Sequence, residues 1–344
     1  MKPNKRIRTV ILPMLAILYT IGITSGCELL REKPLEDAIQ IELENAGDRG
    51  LDGIIVCVNQ SGETRLYADG WKNRENKVPA DSHALFKIAS ISKLYIAVAA
   101  TKLVAKQSLS LEQTLAELIP ELVGRIEHAD KITLRMMLQH RSGIPNFTDH
   151  SDFPWSDLPN ENSEALKFVL DEPADFKPDK RYKYSNTNYL LIGEILDKTL
   201  GYSHHEYIKQ EILIPLELHN TYSLLSEVNI DDVMSGYHIG WESDVKNNDY
   251  IHPGGSMIAT AEDVGIFLRA LIDGSLLTTD EQAIYSSIYE YEHTGLLPGY
   301  QSIARYHREI DAVVVQFVNT SGGLAWSKSE KIYRRIVKVL EKEN

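Results

Sequence analysis

The sequence predicts an α+β fold: one antiparallel sheet assembled from both ends of the chain and flanked by helices, with a mainly helical lobe between them. Three observations carry this. Runs of β-branched and alternating residues occur at 54–58 and 64–68 and return at 302–306 and 312–318. Residues 107–250 break into helical segments separated by Pro, Asn and Asp clusters. Ile91 to Ala105 is almost continuously apolar and too long for a strand, so it reads as a buried helix that starts near Ser90.

The elements follow in order. Residues 2–8 carry Lys2, Lys5, Arg6 and Arg8 with no acid, and an apolar run from Thr9 to Thr24 leads to Gly26 and Cys27. This pattern is that of a secretory signal, 1–26. The run is broken by Pro13 and falls short of the roughly 20 residues of a membrane-spanning helix. Thr24-Ser25-Gly26-Cys27 resembles a bacterial lipobox with Thr24 in place of the usual Leu, which makes Cys27 the expected lipidation site. The protein is accordingly expected to be exported and held on a membrane, facing the periplasm or cell surface. Residues 27–49 are a polar tether and a first helix. Ile54 to Val58 and Thr64 to Ala68 form a hairpin around Ser61-Gly62, with Cys57 a buried strand cysteine. Asn186 to Leu200 is a helix closed by Gly201. After the strands at 302–306 and 312–318 comes an amphipathic helix, Ser329 to Glu343. The sheet domain thus spans 50–106 and 251–344, the helical one 107–250, and a cleft is expected between them.

Composition narrows the function. The 344 residues are 43% apolar and 25% charged, which excludes disorder and supplies a substantial core. The 36 basic residues face 49 acidic ones, a net charge of -13; loss of residues 1–26 leaves 32 against 49, or -17. With no basic stripe after the leader, nucleic acid is not an expected partner. Two cysteines and no H-E-x-x-H pair leave no footing for a metal site, and no cofactor is expected. G-x-S-x-G, Walker and G-x-G-x-x-G motifs are absent.

The anomaly is Lys93, a cation inside Ile88-Ala89-Ser90-Ile91-Ser92-Lys93-Leu94-Tyr95-Ile96. Burying an ammonium is costly, and desolvation makes the amine a usable base. Ser90 lies three residues earlier on the same helical face, at the helix start, where backbone N–H groups favour an oxyanion. Ser90 and Lys93 therefore read as a nucleophile and its partner. A second S-x-x-K, Ser243 and Lys246, sits in a polar segment and reads as solvated.

Two further segments agree with the first. Together with Phe86 to Lys93, the stretch Leu138-Gln139-His140-Arg141-Ser142-Gly143-Ile144-Pro145 and the segment Tyr184-Ser185-Asn186, the chain's one Y-x-N, fall in the order found in a known family. The chain resembles the serine β-lactamase and penicillin-binding-protein superfamily, in its class C-like branch of esterases, D-peptidases and β-lactamases. Pro215-Leu216, Thr260-Ala261-Glu262-Asp263 and His293-Thr294-Gly295 continue the match across roughly 50–320. The resemblance implies a three-layer αβα fold, the β-lactamase/transpeptidase-like sheet. It implies that Ser90 forms an acyl-enzyme with Lys93 and Tyr184 sharing the proton, either of them the base. It also implies that Asn186 binds the substrate amide, that His293, Thr294 and Gly295 line the cleft, and that the N–H groups of Ser90 and Leu296 form the oxyanion hole.

Three departures shape the expected activity. His293 stands where β-lactamases carry lysine, which favours an esterase or D-peptidase over a true β-lactamase. Glu292 replaces a glycine and is expected to narrow or charge the cleft, and Lys177 to Arg181 lacks the usual Pro-Gly turn. His140 is expected to be structural, His204-His205 a solvated helix start, and Asp175 and Asp179 loop acids. The expected function is an exported serine hydrolase acting on a small-molecule or peptide substrate (D-amino-acid peptide, small ester or β-lactam). The alternative is a catalytically degenerate protein that binds cell-wall peptide or a protein partner.

Overall fold

A computed structural model describes residues 35–342. The leader, the lipobox and Cys27 lie outside the described residues. Six antiparallel strands form the main sheet: β1 (Gly53–Gln60), β2 (Glu63–Asn73), β3 (Val78–Pro79), β4 (His293–Leu297), β5 (Tyr300–His307) and β6 (Ala312–Val318), in the order β3-β2-β1-β6-β5-β4. The expected hairpin is β1–β2, turned at Ser61 and Gly62, both at positive φ (52° and 84°). β1 closes on β6 with Ile54 opposite Val318, so the N- and C-terminal parts share the sheet's centre.

Strand alternation sorts the sheet into two faces. Ile54, Val56 and Val58 pack against Ile39 and Leu43 of helix α1 (Leu35–Asp48) and against Ile332 and Ile336 of the C-terminal helix Ala325–Glu341. Ile55 and Cys57 belong to the opposite core, with Val264 and Phe267 of helix Ala261–Asp273. Each such side chain stabilises the fold by about 1.5–3 kcal/mol on burial. The result is the three-layer αβα arrangement. Cys57 is fully buried, and burial, with Glu262 nearby, pushes its thiol up to about 12.

Between these parts lie short helices, 3-10 turns and the long helix Asn186–Leu200, whose end is set by Gly201 at φ 73°. A small sheet joins Phe86–Lys87, Ile258–Ala259 and Thr221–Tyr222. Strands of two residues leave no period-2 pattern to read, which is why the sequence did not announce them.

The apolar run becomes one 3-10 turn, Ala89–Ile91, followed by helix α2 (Ser92–Ala105), which is buried almost all round. Edge strand β4 passes against that turn so closely that a Cβ on Gly295 would lie 2.4 Å from the Ile88 carbonyl oxygen and 2.2 Å from Ser302 Oγ. Only glycine permits this approach.

Candidate active site

Ser90 sits half-buried in the 3-10 turn that opens α2, one residue after Ala89, which holds φ 51°. Left-handed backbone at an alanine costs roughly 1–2 kcal/mol and is sustained here by the surrounding packing. Ser302 Oγ, on β5, donates to the Ile88 carbonyl at 2.8 Å and so ties the turn to the sheet.

Two side chains converge on Ser90 Oγ. Lys93 Nζ lies 3.1 Å away and the Tyr184 hydroxyl donates to it at 2.7 Å. Tyr184 arrives from the loop before helix Asn186–Leu200. His140 accepts the Ser185 N–H at 3.2 Å, Asn146 Oδ1 accepts the Asn186 N–H at 2.9 Å, and these bonds cap that helix from outside. The His140 ring stacks on Tyr184 with centroids 4.4 Å apart. His140 is 3% exposed, and burial, then Lys93 and His293, depress its pKa to about 2. It is a neutral structural support, in keeping with the sequence reading.

Lys93 is 1% exposed. Its amine donates to Asn186 Oδ1 at 2.9 Å and to the Gly254 carbonyl at 2.7 Å. Desolvation holds its pKa well below the usual lysine value. The same burial raises Tyr184 above the usual phenol value, partly offset by its bond to Ser90. Both shifts favour uncharged partners, because a charge in this dry region has lost its hydration. A neutral amine has two N–H donors and one lone pair. In that form the two carbonyl-type acceptors would take the donors and the lone pair would face Ser90 Oγ, to which the amine otherwise donates.

Asn186, expected to hold the substrate, is committed within the protein at both ends of its amide. Its Oδ1 accepts from Lys93, and its Nδ2 donates to Thr148 Oγ1 at 2.9 Å. His293, Thr294 and Leu296 line the cleft beside Ser90, and Gly295 sits at the crossing with the Ser90 turn. The His293 ring is stacked on Tyr289 at 5.9 Å, and burial, then Lys93, lowers its pKa to about 4. It contributes no cation at neutral pH. The cleft has a volume of about 650 Å³ and is walled further by Trp155 and Trp241.

Two expectations, for Glu292 and His204, need correction. Glu292 is not among the cleft-lining residues; its carboxylate is 4.0 Å from Arg305, which Glu330 of the C-terminal helix binds at 2.8 Å. Glu292 precedes β4, and its carboxylate faces Arg305 of β5 instead of the cleft. His204 is not solvated: it is 2% exposed, with Nδ1 2.8 Å from Asp197, because its helix start folds back on the end of the preceding helix. The turn without Pro-Gly is made by Asp179 itself, at φ 62° and paired with Arg141 at 2.6 Å. Asp175 pairs with Lys183 at 2.8 Å. Ser243 is exposed, in an irregular segment.

The sequence reading missed Gly254, Asn146, Thr148 and Ser302. Gly254 acts through its backbone carbonyl, which no side chain advertises. Asn146 follows Pro145 directly, so the polar run after the H-x-S-G-x-P element was the available signal for it and Thr148. Among the described residues, no group of three or more His, Cys, Asp or Glu is arranged to hold a metal, and no helix is long and apolar enough to cross a membrane.

A family model described as Beta-lactamase matches residues 37–289. Penicillin-binding protein 4* of Bacillus subtilis is 26% identical over 222 residues, 62% of this chain and 47% of that protein. The chain thus spans about half the length of that curated relative. The D-amino acid amidase of Ochrobactrum anthropi SV3 superposes with a TM-score of 0.80 at 24% identity, covering 90% of this chain and 99% of the other. A Beta-Lactamase/D-Alanine Carboxypeptidase from Pseudomonas syringae gives 0.72 at 17% identity, over 89% and 99%.

Proposed function

The chain belongs to the beta-lactamase family and is a serine hydrolase; from that premise we propose that it cleaves an amide or ester of a D-amino-acid compound through an acyl-Ser90 intermediate. The observation that carries this reading is the convergence of Lys93 Nζ and the Tyr184 hydroxyl on Ser90 Oγ, at 3.1 and 2.7 Å. The substrate class is supported by the likeness to a D-amino acid amidase, and by a cleft in which a neutral His293 replaces the lysine of β-lactamases.

Ser90 Oγ attacks the substrate carbonyl carbon and gives its proton to the Lys93 lone pair, while the carbonyl electron pair moves onto oxygen. The family resemblance assigns that oxyanion to the N–H groups of Ser90 and Leu296. Collapse breaks the C–N or C–O bond, and the leaving atom takes the proton by way of Tyr184. Water then adds to the acyl ester and returns a proton along the same route. The acid departs and the Ser90 hydroxyl is restored. Lys93 is the base because its lone pair is available without ionisation, whereas Tyr184 would have to form a buried phenolate. Asn186 holds the amine in position.

The leader and Cys27 extend the proposal to place: an exported protein, lipid-anchored at Cys27 and facing the periplasm or cell surface. Fluorophosphonate labelling followed by peptide mapping tests the chemistry. Ser90 is expected to carry the probe and Ser90→Ala to lose both label and turnover of D-amino-acid amides and p-nitrophenyl esters. An unlabelled wild type would remove the proposal and leave the binding-protein alternative.

A further inference from the structure

We propose that the C-terminal helix, Ala325–Glu341, is a second membrane contact: its outward stripe of Lys331, Arg334, Lys338 and Lys342 lies on the anionic headgroups of the bilayer that holds Cys27. This deepens the anchored reading and rests on it for bringing the bilayer within reach.

The helix reverses the sign of the chain. Residues 325–342 carry six basic residues against Glu330 and Glu341, or +4, in a chain whose total is -13. Ile332 and Ile336 face the sheet, and the exposed positions 331, 334, 338 and 342 fall within roughly 80° of arc on a line about 16 Å long. Among the described residues, Lys331, Lys338 and Lys342 hold no ion pair, and Arg334 reaches only Glu330, at 3.8 Å, which Arg305 already binds. An acidic protein is repelled as a whole by an anionic surface. Charges more than a Debye length away, about 8 Å, are screened, however, so the stripe governs contact at close range. The same asymmetry orients the molecule, drawing the basic face down and holding the acidic remainder off.

The tether joins the fold at the end of this stripe. Lys328 donates to the Arg49 carbonyl and Arg335 lies 3.3 Å from Glu42, so α1 and the C-terminal helix run antiparallel. One further step of seven residues along each sets Leu35, the first residue of α1, beside Lys342. Leu35 is eight residues after Cys27, a reach of at most about 28 Å. On α1, Glu42 is paired with Arg49 and Arg335, and Glu44 is an exposed acid. Ala89 and Ile91, either side of Ser90, belong to the core on the opposite face of the sheet. Contact through the stripe thus leaves the sheet between the lipid and the nucleophile, and substrate reaches Ser90 from the aqueous side.

The mature chain beginning at residue 28 carries every described residue and no lipid, so its sedimentation with vesicles reads the stripe alone. Vesicles of phosphatidylcholine with about one-third phosphatidylglycerol are expected to bind it, vesicles of phosphatidylcholine alone are not, and added salt is expected to release it. Lys331→Gln/Lys338→Gln is expected to lower the partition coefficient by about 25-fold, or about fivefold per charge. Lys167→Gln/Lys209→Gln, at two exposed lysines of the helical lobe, is expected to leave it unchanged. In the bound state, amine acylation is expected to spare Lys331, Lys338 and Lys342 and to modify Lys167 and Lys209. Thermal melting reports the folding of each variant. Failure to bind the phosphatidylglycerol vesicles, equal binding to phosphatidylcholine alone, or equal loss in the two double variants overturns the inference. Binding to soluble polyphosphate without binding to vesicles also overturns it and assigns the stripe to a free polyanion. None of these readouts uses hydrolysis or the lipid, so the serine hydrolase and the Cys27 anchor stand or fall by their own tests.

Discussion

The Gly254 carbonyl and the Lys93 amine, 161 residues apart in the chain, meet at 2.7 Å in the buried floor of the cleft. Gly254 holds φ 81°, and a Cβ there would lie 2.7 Å from Tyr189 Cβ and 3.1 Å from Lys93 Cγ. Its backbone can point the carbonyl at the amine only without a side chain. Gly254→Ala is therefore expected to displace the acceptor and lower kcat/KM by about 10²-fold or more, since small misplacements of catalytic groups cost on that scale. Steady-state kinetics with a p-nitrophenyl ester, beside a melting curve, checks it; wild-type kinetics in the variant would show that this acceptor does not matter.

Lys93 and Tyr184 differ in what each can do without ionising. With a neutral amine as base, Lys93→Met is expected to lower kcat/KM by about 10²–10⁴-fold, the usual contribution of general-base catalysis. Tyr184→Phe is expected to cost less, because the phenol donates a hydrogen bond and relays a proton. Direct comparison of the two variants settles the assignment: a larger loss in Tyr184→Phe would move the base to the tyrosine. In the wild type, the acid limb of kcat/KM is expected well below the ordinary lysine range, in the direction of the Lys93 shift.

Acid should destabilise the fold well before its carboxylates titrate. His140 and His252 are 3% and 0% exposed, and burial lowers their pKa values to about 2 and about 4. In the unfolded chain both protonate near pH 6.5. Between pH 6.5 and those folded values the unfolded state binds protons that the folded state refuses, so stability is full above pH 6.5 and declines as pH falls. Each histidine contributes a slope of at most about 1.4 kcal/mol per pH unit. Melting temperatures between pH 7.5 and 5 are expected to fall with acid, and a flat profile would contradict the neutral buried histidines.

Anchoring has a simple readout. Cys27→Ser is expected to shift the protein from the detergent phase to the aqueous phase on cloud-point separation and to abolish incorporation of labelled palmitate, while purified protein keeps its fluorophosphonate labelling. Equal partitioning of wild type and variant would discard the lipid anchor.

Much of this site was legible because helix geometry is local. A serine three residues before a lysine in an apolar run must share its face, and Ser90 and Lys93 do. The hairpin around Ser61-Gly62 and the Gly201 cap were legible for the same reason: turn chemistry resides in the turn's own residues. What was hidden depends on distant backbone. The Gly254 carbonyl has no signature of its own, and the burial of His204 depends on how Asp197 folds back toward it. Glu292 was misplaced because what draws its carboxylate, Arg305, lies on the neighbouring strand and is invisible in the local sequence. Tyr184 reached the reading through the likeness of its segment to a known family, since nothing local to Tyr-Ser-Asn says which serine it will meet.

The pairing of β1 with β6 sets a timetable for biogenesis. A ribosome releases Ser90 about 200 residues before the strand that flanks it and long before Val318, the partner of Ile54. Contacts that distant are made late and slowly. The nascent polypeptide consequently holds its nucleophile without a working pocket until the final third emerges.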